Sequence, residues 1–263
     1  MGLSTWSLLQ SDLYSAVRTI GDAGFSYIEL WGEVPHAYHQ WADKKRLKDA
    51  LSTYSFVVTM HAPFTDLNPA TPFDPVKAAV ERTLKDFVRF AGDLEVARVT
   101  FHPGSVHSGA LVHQSVEDAV RLFRTLVKES NGSPAINIEN QARSRSPYHF
   151  PVGGDAESIQ ALLSNIDGVS YTMDTGHAHV GGDEPLKFYE RFRNSLTEVH
   201  LSDNDGSGDE HLIPGQGSAK LDDLLQKLRE SDVLLCLELN PYRYPAEEVL
   251  DAAATIKRKL DLD

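Results

Sequence analysis

An α/β fold, a single (β/α)8 TIM barrel, is predicted by two features of this chain: eight short apolar runs alternate with segments of helical period, and a His, Asp or Glu closes six of those runs. The runs are Leu3-Ser4-Thr5-Trp6, Tyr27-Ile28-Glu29-Leu30-Trp31, Phe56-Val57-Val58-Thr59-Met60-His61, Val99-Thr100-Phe101-His102, Ala135-Ile136-Asn137-Ile138-Glu139, Tyr171-Thr172-Met173-Asp174, Glu198-Val199-His200 and Leu234-Leu235-Cys236-Leu237-Glu238. Each is rich in β-branched or aromatic residues and bounded by turn chemistry. Helical period marks Val76 to Leu94, Ser115 to Glu129, Leu221 to Glu230 and Ala246 to Leu260. Eight strand-helix units of roughly 30 residues fill a chain of the usual size for one such barrel. No linker, low-complexity tract or long charge block interrupts residues 1–263, so one domain is expected.

With 41% hydrophobic residues the 263-residue chain can bury a large core, and no apolar stretch approaches the roughly 18 residues of a membrane span. The N-terminus lacks a basic segment followed by an apolar one, and the lone Cys236 can form no intramolecular disulfide. A cytoplasmic enzyme is the expectation. The formal charge of −13 opposes a nucleic-acid backbone at long range, although bound divalent cations would reverse the sign locally.

In a barrel of this kind the C-terminal strand ends form the active-site face, so a polar residue ending strand after strand points at one centre. His61, His102, Glu139, Asp174, His200 and Glu238 then surround a common pocket. His177, one helical turn after Asp174, and Asp209 and His211, in the loop after the seventh strand, extend the set. Imidazole and carboxylate without thiolate suit Zn, Mn, Co, Fe or Mg, and several carboxylates allow one to bridge, so one to three ions are expected. Glu139, Asp174, His200 and Glu238 are the leading ligands.

The motifs His61-Ala62-Pro63-Phe64, Phe101-His102-Pro103-Gly104-Ser105, Ile138-Glu139-Asn140, Met173-Asp174-Thr175-Gly176-His177, Val199-His200-Leu201-Ser202-Asp203-Asn204, His211-Leu212-Ile213-Pro214-Gly215-Gln216-Gly217 and Leu237-Glu238-Leu239-Asn240, in this order, resemble the xylose isomerase-like TIM barrels. That group, which the resemblance spans nearly end to end, includes sugar epimerases, hydroxypyruvate isomerase-like and inosose dehydratase-like enzymes, and endonuclease IV. In its isomerase and epimerase branch, the positions matching Glu139, Asp174, His200 and Glu238 hold one divalent metal. The resemblance implies that the two glutamates, as the catalytic pair, remove and return a carbon-bound proton through an enediolate. In the endonuclease IV branch all nine positions hold three zinc ions for phosphodiester hydrolysis at abasic DNA.

Several departures favour the first branch. The stretch from His200 to Asp209 is compact and lacks the nuclease's lysine, and Asp174-Thr175-Gly176-His177 carries Gly where the nuclease signature has Cys. A barrel that binds a metabolite without turnover is the remaining, non-enzymatic expectation.

The expected substrate is a small sugar, sugar phosphate or related polyol, walled by Trp6 and Trp31 at strand ends, and the segment Trp31 to Trp41 carries no Arg or Lys. Arg143 and Arg145 are placed over the pocket as candidate anion binders. The turn Asn204 to Asp209 is read as flexible and lacks the full spacing of a calcium loop, and Pro214-Gly215-Gln216-Gly217 is read as a turn into the next helix. Nothing in these residues specifies an oligomer.

Overall fold

The structure, a computed structural model, describes residues 1–143, 146 and 148–261. Strands β1 (Gly2–Ser4), β2 (Tyr27–Trp31), β3 (Val57–His61), β4 (Arg98–Phe101), β5 (Ala135–Glu139), β6 (Val169–Asp174), β7 (Leu196–Leu201) and β8 (Leu234–Leu237) form a closed parallel barrel. Pairing of β1 with both β2 and β8 completes the ring, so no strand edge remains in it. Around it lie α1 (Leu13–Asp22), α2 (Lys44–Leu51), α3 (Asp74–Asp93), α4 (Val112–Ser130), α5 (Ala156–Asn165), the short α6 (Thr175–Val180), α7 (Pro185–Phe192), α8 (Asp222–Arg229) and α9 (Ala246–Lys259). Asp12, Asp43 and Asp155 cap α1, α2 and α5 by accepting from backbone amides. None of the described helices is long and apolar enough to cross a membrane.

The predicted elements are all present, with shifted ends. The first run stops at Ser4, because its hydroxyl accepts from the Trp6 amide and caps a 3-10 turn over Thr5–Leu8. Trp6 therefore sits on that turn and not at a strand end. His102 and Glu238 lie one residue beyond β4 and β8. A small antiparallel ribbon, Ser105–Val106 against Phe150–Pro151, joins the loops after β4 and β5 and had no counterpart in the sequence reading.

Side chains on a strand alternate, so whatever lies two residues before a strand-end ligand faces the barrel interior with it. Below His61, His102, Glu139, Asp174, His200 and Glu238 stand Thr59, Thr100, Asn137, Thr172, Glu198 and Cys236, all fully buried. This interior layer is polar and largely satisfied from within, with the Asn137 Oδ1 left unpaired. Glu198 accepts from the hydroxyls of Tyr27, Thr59 (3.0 Å) and Thr100 (3.3 Å), while Asn137 donates to Thr172 (2.9 Å) and Thr197 (2.9 Å). Gly2 makes room for Tyr27: a Cβ there would lie 2.3 Å from the Tyr27 carbonyl oxygen and 2.5 Å from its ring.

The intervening residues, among them Ile28, Leu30, Met60, Val99, Phe101, Ile136, Ile138, Tyr171, Met173, Val199, Leu201, Leu235 and Leu237, face outward and pack with apolar residues of the helices, such as Val17, Ile20, Leu84, Phe87, Phe123, Leu126 and Ile256. The apolar core is thus a shell between strands and helices, and burial in it is the main stabilising term. Tyr27→Phe removes one of three donors to a buried carboxylate and is expected to lower stability by about 1–3 kcal/mol. An unchanged urea midpoint would contradict that accounting.

Candidate metal centre and substrate cavity

The strand ends bring all nine sequence-predicted ligands into one network. Five overlapping trios each place three donor atoms within 4.8 Å of one another: His61-Glu139-His200, His102-Glu139-His177, His177-Asp209-His211, Asp174-His211-Glu238 and Glu29-His200-Glu238. Glu139 is central: Oε2 lies 3.2 Å from His61 Nε2 and 3.3 Å from His102 Nε2, and Oε1 lies 3.2 Å from His200 Nδ1. The Glu238 carboxylate reaches the same His200 Nδ1 at 3.4 Å. Asp209 joins the far side, with Oδ2 3.1 Å from His177 Nε2 and 3.3 Å from His211 Nε2.

Local structure fixes which nitrogen each ring offers. Nδ1 of His61, His177 and His211 contacts a main-chain carbonyl, respectively Ala62 (2.8 Å), Asn140 (2.7 Å) and Glu238 (3.2 Å). Each carbonyl accepts the Nδ1 proton and leaves Nε2 aimed at the centre, the arrangement a metal-binding histidine requires. Asp174 both ends β6 and caps α6: its Oδ1 accepts from the His177 amide at 2.6 Å, so one residue places itself and a second ligand. Asn140 clamps the same corner, accepting from the Asp174 amide (2.9 Å) and the Tyr171 hydroxyl (2.8 Å) and donating to the Asp174 carbonyl (2.9 Å).

Electrostatically the cluster is a buried set of acids and bases that must neutralise one another. Burial opposes charge on Glu139, but His200 and His102 hold its carboxyl well below the usual range. Asp209 is lowered in the same way by His211 and His177. Burial dominates at Asp174, raising it, and at Glu238, pushed up to about 8. Burial likewise disfavours protonated imidazole, yet carboxylate neighbours, chiefly Glu139 for the first and Asp209 for the second, push His61 and His211 up to about 9. Asp174 Oδ2 and Glu238 Oε1 are buried with no hydrogen-bond partner. Two orphaned carboxylate oxygens, three tautomer-fixed imidazoles and no thiolate fit a divalent cation.

Seven of the nine, all but Asp174 and His200, line a cavity of about 240 Å³ together with Trp6, Trp31, Phe64, Asn240 and Tyr242. That is below the roughly 300–1,000 Å³ of drug-sized sites. Trp6 and Trp31 pack at 5.9 Å between ring centroids, Trp31 lies 4.9 Å from His61, Trp6 lies 4.7 Å from His211, and Phe64 stacks on His102 at 4.5 Å. The aromatic wall therefore also shields the imidazoles from solvent.

A model of the xylose isomerase-like TIM barrel matches residues 17–259. The chain belongs to the xylose isomerase-like TIM barrel family. Among its relatives, an uncharacterised protein of Methanocaldococcus jannaschii is 29% identical over 238 residues, covering 87% of this chain and 79% of that protein. Fructoselysine 3-epimerase of Escherichia coli O157:H7 is 22% identical over 236 residues, covering 86% and 84%. The crystal structure of a D-tagatose 3-epimerase-like protein superposes with a TM-score of 0.87 at 26% identity, covering 100% of this chain and 98% of that one.

In this xylose isomerase-like barrel the other expected contacts divide. Both tryptophans line the cavity, but within the aromatic segment after β2, His36 turns to the Ser11 carbonyl (2.9 Å) and His39 packs on Phe87. Arg143 is not among the cavity-lining residues: its guanidinium donates to the Gly154 carbonyl at 2.8 Å and pairs with Asp155 at 3.3 Å. Arg145 lies outside the described residues. Asn204 and Asp205 organise the loop before Asp209 by accepting from the amides of Gly206 and Ser207. Asp203 accepts from the amides of Gly215, Gly217 and Ala219; Gly215 takes a φ of 96°, and a Cβ at Gly217 would lie 2.3 Å from the Asn204 carbonyl oxygen, so the predicted turn uses one glycine for conformation and the other for close approach.

Sequence reasoning missed Phe64, Asn240, Tyr242 and Glu29. Phe64 and Asn240 stand inside the motifs that carry His61 and Glu238, and Glu29 was visible only as an acid within an otherwise apolar strand.

Asn140→Ala would strip partners from Asp174 and Tyr171 and is expected to cost about 3 kcal/mol, read by urea denaturation. For pH dependence the sign follows from raised values. His61 and His211 rise from 6.5 to about 9, so their contribution in metal-stripped protein is full below pH 6.5 and lost as pH rises through about 9. Glu238, raised from 4.5 to about 8, loses stability in the same direction. The thermal midpoint of chelator-treated protein is expected to fall across that range, and a rising midpoint would refute these protonation states.

Proposed function

We propose that the chain is a divalent-metal-dependent isomerase or epimerase of a small sugar or related polyol, moving a proton between substrate carbon and the Glu139 and Glu238 carboxyl groups. The observation that carries this reading is that these two carboxylates, from the end of β5 and just past β8, converge on the same buried His200 nitrogen and both line a small aromatic-walled cavity.

Glu139, Asp174, His200 and Glu238 would hold the leading ion, with His61, His102, His177, Asp209 and His211 as further donors. When bound, a divalent ion supplies Lewis-acid polarisation that acidifies the hydrogen next to a carbonyl. The protein's own groups supply the proton traffic. In the ion-free protein the rings around Glu139 hold it ionised, as acceptance of a carbon-bound proton requires, whereas burial pushes Glu238 toward its neutral form, so the two carboxyl groups differ in their affinity for a proton. Such a split between two carboxyl groups is what removal and return of a proton needs near neutral pH. Trp6, Trp31 and Phe64 can pack on the C–H face of a ring while Asn240 and Tyr242 offer polar contacts. The described residues lining the cavity include no Lys or Arg, which favours a neutral polyol over a sugar phosphate. The names of the relatives, a fructoselysine 3-epimerase and a D-tagatose 3-epimerase-like protein, support epimerisation beside a ketose carbonyl.

One observation favours a second reading, a trinuclear-zinc phosphodiesterase acting on abasic DNA: all nine donors form one contiguous network with a distinct His177-Asp209-His211 trio. The charge of −13 and the absence of Lys and Arg among the described lining residues oppose it.

The deciding experiment incubates the metal-loaded protein with a panel of ketoses in deuterated water. Wild type is expected to incorporate deuterium beside the carbonyl, and Glu139→Gln and Glu238→Gln to slow turnover by at least about 100-fold each. Full turnover in either variant would sink the two-glutamate mechanism. Three bound zinc ions with cleavage of an abasic duplex and no exchange on any ketose would transfer the assignment to the second reading. Because His61, His211 and Glu238 carry raised values, metal loading at pH 7 is expected to release more protons per ion than loading at pH 10, followed with a pH indicator.

A further inference from the structure

His61, His177 and His211 are each oriented by a main-chain carbonyl, but His200 is turned the other way round. Its Nδ1 meets Glu139 and Glu238, and its Nε2 points down into the barrel, 3.0 Å from Oε2 of Glu29. Neither atom has a hydrogen-bond partner, so the 3.0 Å approach is a close contact of two buried polar atoms short of hydrogen-bond alignment. Both residues are fully buried, Glu29 in the middle of β2 and His200 in β7.

A fully buried carboxylate is costly unless a donor faces it. Of the groups around Glu29, only His200 brings an N–H. Cys236 offers a weak S–H at 3.9 Å from Oε1, and Glu238, the third member of that trio, donates only while its carboxyl group is neutral. The neighbouring Glu198 differs: three hydroxyls donate to it, and it stands 3.9 Å from His200 Nε2. Glu198 is therefore satisfied without the ring, whereas Glu29 has the ring as the one N–H group facing it among the described residues.

We infer that Glu29 is the positioning residue of the metal centre: by accepting the Nε2 proton of His200 it fixes the ring so that the Nδ1 lone pair faces the ion held with Glu139 and Glu238. The inference rests on the metal-dependent reading proposed above. Carboxylates that orient metal-bound histidines typically alter metal affinity 10–100-fold when removed. Glu29 touches no reacting atom in this role.

The test compares wild type, Glu29→Gln and Glu29→Ala by chelator competition for zinc, by elemental analysis of ions per chain, and by nitrogen-15 NMR of the His200 ring in zinc-loaded protein. Circular dichroism of the ion-free proteins checks that each variant folds, and the isosteric Gln variant covers the case in which Ala does not. The expected result is Nε2 protonated in wild type, zinc affinity weakened about 10–100-fold in Glu29→Ala at unchanged stoichiometry, and substantial recovery in Glu29→Gln, whose amide oxygen still accepts. Equal affinities in all three proteins would overturn the inference while leaving the metal-dependent reading intact. Loss of a whole equivalent of zinc in folded Glu29→Gln would also overturn it, by making Glu29 a ligand. Wild type that takes up no divalent ion would overturn the functional reading and this inference together.

Discussion

The alternation of side chains on strands that close into a barrel governs nearly everything about this molecule. Once a ligand is set at the end of a strand, the residue two before it must also face inward, where neither water nor helices can reach it. The chain meets that constraint with polar residues: Thr59, Thr100, Asn137, Thr172, Glu198 and Cys236 form a floor whose donors and acceptors are largely matched to one another. Apolar burial is displaced to the shell between strands and helices, so the interior is free to carry charge.

That displacement also explains the electrostatics of the centre. Imidazoles and carboxylates sit in a low-dielectric space where each can be charged only if a neighbour compensates it. Glu139, touched by His61, His102 and His200, stays ionised, whereas Glu238, beside Glu29 and deep in the floor, is driven the other way. Two chemically identical groups thereby acquire different affinities for a proton through their surroundings alone.

The barrel and the clustering of its acids and imidazoles were legible in the sequence because both obey short periods: runs of strand length ending in His, Asp or Glu, and helical segments between. His102 and Glu238 were located correctly even though they fall just beyond their strands, since the inward direction persists for one more residue. What escaped depends on contacts between distant segments. Capping by Ser4 moves Trp6 onto a 3-10 turn, the pairing of Ser105–Val106 with Phe150–Pro151 joins two loops, and Arg143 is committed to Gly154 and Asp155. Glu29 shows only as a charge in a strand until β7 brings His200 beside it.

Asp174 has a double duty with a consequence for how this site can change over time. Because the same carboxylate contributes an oxygen to the centre and starts the helix bearing His177, the two donors are mechanically linked. Their removal should be strongly non-additive, and neither can drift alone without disturbing the other. His61 and His211, positioned by main-chain carbonyls, have no such tie to Asp174. Exchange of one donor at His61 therefore leaves the others in place, whereas exchange at the β6–α6 corner disturbs two at once.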